Sequence, residues 1–386
     1  MSWSTVRADQ FCTLITDGTH DSPKPQQSGW KLITSKHLKG HYIDFDSANW
    51  ISEADYLKVI SRSAVEQWDI LFSMRGTIGN IYLEKNPHVE YACKNMGIFK
   101  FSGNKENALW MYYYLRSPQA KAYIQTHLRG STQAYVPLGG LREMPVPVPP
   151  QTVRNEIIAI LRPIDEKIEC NNAINDNLQQ QADALFSSLY DRSNTEVRFT
   201  DLIQILGGGT PKTGENTYWN GNIAFFTPKD VGTPYTLITE KTISKEGLSH
   251  CNSRLYPVNT VFVTARGTVG KVGMSGVPMA MNQSCYALVG KETHQLLVYF
   301  YTLKAVDRLK HKASGAVFDA ITTRDFESEQ IMKLSDDDAT AFLRVAEPMF
   351  QEVLNNNIEN LRLSTLRDSL LPKLMSGEID VSAVQL

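Results

Sequence analysis

Two stretches of this chain carry the same heptad seam, and together they limit the fold more than any other feature. Positions 157, 161, 164, 168, 171, 175, 178, 182, 185 and 189 advance by alternating fours and threes and read Ile, Leu, Ile, Ile, Asn, Asn, Leu, Ala, Leu, Leu. Adding 185 to each gives Phe342, Ala346, Met349, Val353, Asn356, Asn360, Leu363, Arg367, Leu370 and Leu374, and Pro163 lands on Pro348. An apolar residue every 3.5 positions is the pattern of a coiled-coil helix. One such stretch alone is better explained as an amphipathic helix lying on its own domain. Two in register, each with two Asn layers at its middle, favour pairing with each other.

The Asn layers also predict how the helices meet. A buried amide without a partner costs roughly 1 to 3 kcal/mol. Antiparallel pairing about positions 173 and 358 sets Asn171 against Asn360 and Asn175 against Asn356, and a slip by one heptad strands amides against Leu or Ile. Parallel pairing also matches Asn with Asn. The antiparallel arrangement is preferred because the first helix must deliver the chain to a second globular part, from which the second helix can return.

The helices are predicted over 151–192 and 335–378. Pro145-Val-Pro-Val-Pro-Pro150 cannot be helical, and Thr152 is the expected N-cap. The first helix should end near Asp191-Arg-Ser-Asn194. The second opens at Ser335 ahead of three Asp, which suit the positive end of a helix dipole, and stops at Ser376-Gly377. Residues 1–150 and 193–334 remain as globular parts, with a tail at 379–386.

Those parts repeat as well. Asp69-Ile-Leu-Phe-Ser-Met-Arg-Gly-Thr-Ile-Gly79 matches Thr260-Val-Phe-Val-Thr-Ala-Arg-Gly-Thr-Val-Gly270. Gly29-Trp-Lys-Leu-Ile-Thr-Ser-Lys36 echoes Asn222-Ile-Ala-Phe-Phe-Thr-Pro-Lys229, and Lys94-Asn95 echoes Met281-Asn282. Gly130-Ser-Thr-Gln-Ala-Tyr135 and Ala313-Ser-Gly-Ala-Val-Phe318 close the halves. Short alternating strands (Trp30 to Thr34, Asp69 to Met74, Gly97 to Phe101; Ile223 to Thr227, Thr260 to Thr264, Ser284 to Val289) accompany one helix each, Ala108 to His127 and His294 to His311. The expected class is α+β: a tandem, pseudo-twofold repeat of two mixed α/β domains joined by two long antiparallel coiled-coil helices.

Composition narrows the function. The net charge of the 386 residues is −2, but residues 151–192 hold four Lys/Arg against seven Asp/Glu and residues 336–380 hold four against nine, which leaves +6 on the remainder. No apolar run approaches the roughly 20 residues of a membrane helix, and the N-terminus has no signal pattern. A cytoplasmic protein without a membrane role is expected. The five cysteines stand without Cys-x-x-Cys or His partners and read as reduced thiols, with no metal site. Gly209-Thr-Pro-Lys-Thr-Gly214 fails as a phosphate loop because Glu215-Asn216 stand where Lys and Ser/Thr are required. Neither an Asn/Asp-Pro-Pro-aromatic segment nor a carboxylate-Lys nuclease cluster is found, so no catalytic residue is assigned.

The strand-end loops instead gather side chains that hydrogen-bond base edges and phosphates. In the first half these are Lys36, His37, Arg75, Thr77, Lys94, Asn95, Arg129, Ser131 and Gln133. In the second they are Lys229, Arg266, Thr268, Lys271, Asn282, Gln283, Lys312 and Ser314. Singly, each is more often a solvated loop residue; grouped on the basic portion, they form a candidate surface for double-stranded DNA.

In order along the chain, Asp17-Gly-Thr-His-Asp-Ser-Pro-Lys24, Arg75-Gly-Thr-Ile-Gly79, the Pro145–Pro150 run, Gly207-Gly-Gly-Thr-Pro-Lys212 and Leu371-Pro-Lys-Leu-Met-Ser-Gly-Glu378 resemble the specificity subunit of type I restriction-modification systems. The resemblance spans the whole chain. It implies two target recognition domains, a helical spacer, two methyltransferase subunits docked on the helices and neighbouring surfaces, and restriction motor-nuclease subunits. S-adenosylmethionine, ATP and Mg2+ would belong to those partners and none to this chain, which would not be catalytic alone. Gln330-Ile-Met-Lys-Leu-Ser335, standing where the first half has its Pro-rich run, departs from the repeat and leaves the end of the second domain open. From position 157 to 189 is 32 steps, on the order of 50 Å at about 1.5 Å per residue. That length suits roughly one and a half duplex turns between two unlike half-sites. A self-contained DNA methyltransferase and a coiled-coil scaffold without DNA are the rival readings.

Overall fold

The computed structural model describes residues 3–40, 42–232, 234–312 and 320–381. Ser314, with the rest of Ala313–Phe318, lies outside the described residues. The chain divides into two compact units, one made of Met1–Glu169 with Leu363–Leu386 and the other of Cys170–Arg362. Each long helix therefore contributes a segment to each unit, the first dividing near its middle and the second about two-thirds of the way along.

The first unit contains β1 (Ser4–Arg7), β2 (Leu14–Asp17), β3 (Trp30–Ile33), β4 (Asn49–Ile51), β5 (Ile70–Ser73), β6 (Ile81–Leu83), β7 (Tyr91–Cys93), β8 (Met96–Lys100) and β9 (Pro145–Val148). They form sheets of order β2-β8-β5-β6, β4-β3-β7 and β1-β9, antiparallel except for β3 with β7. The Pro-rich run is thus a strand paired only with β1, where missing N–H groups cost least. One helix was expected over Ala108 to His127; the chain instead makes two, Lys105–Arg116 and Pro118–Thr126. Pro118 cannot continue a helix, and Ser117 caps the new one by accepting from the Ala120 amide at 3.3 Å. A helix over Glu53–Ser63, capped by Ser52, was not anticipated.

The second unit contains β10 (Thr195–Arg198), β11 (Ile203–Gly207), β12 (Trp219–Phe226), β13 (Tyr235–Thr236), β14 (Lys241–Ile243), β15 (Val261–Thr264), β16 (Val272–Ser275), β17 (Met279–Met281), β18 (Cys285–Gly290) and β19 (Gln330–Lys333). Its sheets have the orders β11-β18-β15-β16-β13, β14-β12-β17 and β10-β19. Residues Gln330–Lys333 pair with β10 as the Pro-rich run pairs with β1, so the two segments are structural counterparts despite their unlike residues.

The long helices run Gln151–Asp191 and Asp336–Ser376. The first begins directly after Pro150, one residue before the expected cap. The second is capped as expected, Ser335 Oγ accepting from the Asp338 amide at 3.1 Å, and Gly377 closes it at φ +73°. In the first unit, Ile157 and Leu161 of one helix and Leu371 and Leu374 of the other join the core of Ile70, Phe72, Phe99 and Trp110. Arg367, at a seam position filled by Ala182 in the first helix, is matched there by Asp165 at 2.9 Å, which also binds Arg116 at 2.8 Å.

In the second unit the pairing is antiparallel and centred on amides. Asn171 Nδ2 donates to Asn360 Oδ1 and Asn356 Nδ2 to Asn175 Oδ1, both at 2.9 Å. Asn172, Asn357 and Glu359 extend this network, accepting from Asn360, Asn175 and Asn171. Phe186 then anchors the first helix, stacked on Phe300 at 4.9 Å and edge-on to Phe342 at 5.4 Å. We expect Asn356→Leu to cost about 1 to 3 kcal/mol, because Asn175 Oδ1 loses its donor in a dry seam. Asn175→Leu with Asn356→Leu should regain most of that loss. Urea unfolding of both variants tests this, and an Asn356→Leu protein as stable as wild type would refute it.

Candidate nucleic-acid interface

Strand direction gathers the first set of candidates. Asp17 pairs with Gly97, Ser73 with Met96, and Ile33 with Cys93. Hence β2, β3, β5 and β7 end, and β8 begins, along one edge. Backbone bonds tie the loops there: Gly18 N donates to Met96 O, Thr19 N to Cys93 O and Lys94 N to Ile33 O, all at 2.9 Å. Lys36, Arg75 and Thr77 are exposed on this edge. The Thr77 hydroxyl reaches the Ser35 carbonyl at 3.5 Å. Arg129 and Tyr135 exchange backbone bonds at 2.9 Å and Val136 N donates to Met74 O at 3.0 Å, which seats the 129–135 hairpin beside Arg75. The Arg75 guanidinium lies 4.9 Å over the Tyr135 ring. Ser131 and Gln133 are exposed on that hairpin. Lys94 donates to Ser22 Oγ, and Asn95 sits at φ +55°.

His37 does not belong to this surface. It is 1% exposed, and its Nδ1 accepts the Thr34 amide at 2.9 Å. Burial, aided by Lys36, pulls its pKa below the usual imidazole value. The ring fixes the turn that carries Lys36 and is itself inaccessible.

The second unit repeats the edge. Gly207 pairs with Tyr286, Thr264 with Cys285 and Phe226 with Met281. Around it lies a cavity of about 400 Å³ lined by Lys229, Arg266, Thr268 and Asn282, together with Thr227, Lys241 and Ser284. Lys241, 5.6 Å over the Trp219 ring, was not among the sequence candidates, and no motif singles it out. Lys229 Nζ is 3.7 Å from the Glu240 carboxylate. Lys271 is exposed where the β15–β16 hairpin closes, bonded through its backbone to Thr264. Lys312 is different: its amine is bound to Glu329, a fully buried carboxylate that Arg308 also approaches at 2.8 Å. The Lys312 side chain is itself 55% exposed, so this ion pair holds its amine at the surface above the buried carboxylate.

One sequence equivalence shifts. Because β7 ends at Cys93 and β17 at Met281, Lys94 corresponds to Asn282 and Asn95 to Gln283. The identity of one Asn had suggested a register one residue off. Among the described residues, no group of three or more His, Cys, Asp or Glu side chains is placed to hold a metal ion, and no helix is long and apolar enough to cross a membrane. All five cysteines are free.

Residues 3–180 and 192–333 each match the type I restriction modification DNA specificity domain, so the chain belongs to that family. It is 23% identical to the type I restriction enzyme HindI specificity subunit of Haemophilus influenzae, over 85% of this chain and 90% of that one. It is 29% identical to the MjaIX specificity subunit of Methanocaldococcus jannaschii over 31% of this chain and 29% of the relative. The fold is similar to that of a type I restriction-modification S subunit from M. genitalium, with a TM-score of 0.58, 13% identity, and 97% and 96% of the two chains covered.

The buried His37 makes a pH prediction. Since its folded pKa is depressed, the unfolded chain takes up the proton more readily, and stability should fall as pH drops below the ordinary imidazole value of about 6.5. Protonating Nδ1 would also remove the acceptor for Thr34. We expect His37→Gln to lose less melting temperature than wild type between pH 7.5 and 5.5; equal losses would refute it.

Proposed function

We propose that this chain is the DNA-reading subunit of a type I restriction-modification complex, in which each unit reads one half-site. The observation that supports this most directly is the repeated edge. In both units a strand runs into an Arg-Gly-Thr turn beside an amide-bearing loop, Arg75 with Asn95 and Arg266 with Gln283. Arg suits guanine O6/N7 or phosphate, and Asn and Gln suit base edges. The flanking side chains differ between units, so the target is an asymmetric, bipartite sequence. The unread gap follows from the length of the paired helices.

Catalysis belongs to partners. Two methyltransferase subunits carrying S-adenosylmethionine would modify adenine at N6, and restriction subunits would use ATP and Mg2+. The fully assembled complex is the proper sample for the first test. Arg75→Ala and Arg266→Ala should each weaken binding by about 1 to 3 kcal/mol, relaxing one position of one half-site if a base is contacted and reducing the salt slope by about 1 if a phosphate is. Salt-titrated binding to a defined site measures both, and unaltered affinity in both variants would sink the assignment.

The helices offer a second test. Deleting one heptad from both seams together should shorten the gap in the recognised sequence and leave both half-sites intact. Sequencing of methylated adenines in cells reads this out, and an unchanged gap would count against the helices as the spacer.

A further inference from the structure

In each unit, the loop leaving the first strand of the main sheet reaches across a neighbouring strand end to hold a carboxamide. In the first unit, His20, when its ring carries both protons, donates from Nδ1 to Asn95 Oδ1 at 2.7 Å and from Nε2 to Asp17 Oδ2 at 2.8 Å. In the second, the Thr210 hydroxyl donates to Gln283 Oε1. The two contacts are equivalents: Asn95 and Gln283 each lie two residues past the end of β7 or β17, and His20 and Thr210 each lie two residues past a glycine.

Those glycines are required by close approach. A Cβ on Gly18 would stand 2.3 Å from the Cys93 carbonyl oxygen, and one on Gly208 would stand 2.6 Å from that of Met281. With no side chain there, the loop lies against the strand end, which brings the residue two positions on within reach of the amide. Each loop is also braced from outside, Arg62 Nη2 donating to Gly18 O at 3.1 Å and the Tyr256 hydroxyl to Gly207 O at 3.0 Å. Different residues thus build the same bond twice, so the geometry is what repeats.

An unrestrained Asn or Gln can present either its oxygen or its amino group, and so fit more than one base. We infer that His20 and Thr210 are positioning residues which fix the amide plane and turn the amino ends of Asn95 and Gln283 toward DNA. Each amide then selects a base edge rich in acceptors, guanine N7 and O6 above all, over the cytosine N4 donor. The inference rests on the DNA-reading role proposed above.

The test uses the complete complex, acting on a DNA pool with randomised half-sites and sequenced for methylated adenine. Thr210→Val keeps the side-chain shape and deletes the donor; it should cut base discrimination about tenfold or more at one position of one half-site. Gln283→Ala should relax that same position. His20→Ala and Asn95→Ala should share a position in the other half-site. Melting curves confirm folding, and because the two units carry independent copies of the bond, either pair of variants suffices. Wild-type complex that methylates a defined site which Thr210→Val and His20→Ala leave unaltered overturns the positioning role alone. Wild-type complex with no sequence preference overturns the DNA-reading role beneath it.

Discussion

The architecture depends on a short run of amides in an otherwise apolar seam. Asn175 and Asn356 are at most 5% exposed, so neither can turn to water if its partner moves. A displacement of seven residues would lay Leu363 and Ala182, or Met349 and Ile168, against these groups and cost several unmade hydrogen bonds at once. Aliphatic layers alone would tolerate the same slip, because Leu on Ile packs about as well one heptad away. Within the first unit Arg367 meets Asp165 at 2.9 Å, a charge match at the helix seam there.

Given that frame, the two units solve one problem twice with different residues. A Pro-rich strand and a Gln-Ile-Met-Lys strand fill the same place, because the requirement is one inward apolar side chain, Val146 or Ile331, both 0% exposed. Around the strand-end edge, the glycine-bearing turns are kept while neighbouring side chains vary. Such a division suits a protein whose backbone must present loops in a constant geometry and whose targets must differ.

The sequence made the large periodic features legible and the local, long-range ones much less so. Seam positions from 157 to 189 and from 342 to 374 are all buried or half-buried, since a 3.5-residue period sets those side chains on one face of a helix. The break at Pro118 is hidden in the sequence because an apolar rhythm continues through it. His37 looked like a loop base among basic neighbours, and nothing in the sequence indicates that the Thr34 amide would claim its ring. Asn172, Asn357 and Glu359 flank the seam and join its network only because two helices meet there. Lys241 reaches the cavity of the second unit through sheet pairing with β12, a contact between residues distant in any motif. The single-residue misregister at Asn95 arose from matching letters where strand ends set the equivalence.

The unequal continuity of the two units bears on how the protein comes into being. Cys170–Arg362 is one uninterrupted segment, while the other unit joins Met1–Glu169 to Leu363–Leu386. Leu371, Leu374 and Met375 sit in the core that also holds Trp110 and Ile157. A ribosome delivers those residues after the whole of Cys170–Arg362, so the unit that begins first is completed only after the other has emerged. Until then Trp110 and Ile157 lack the three side chains that complete their packing, and the first-made core waits on the second.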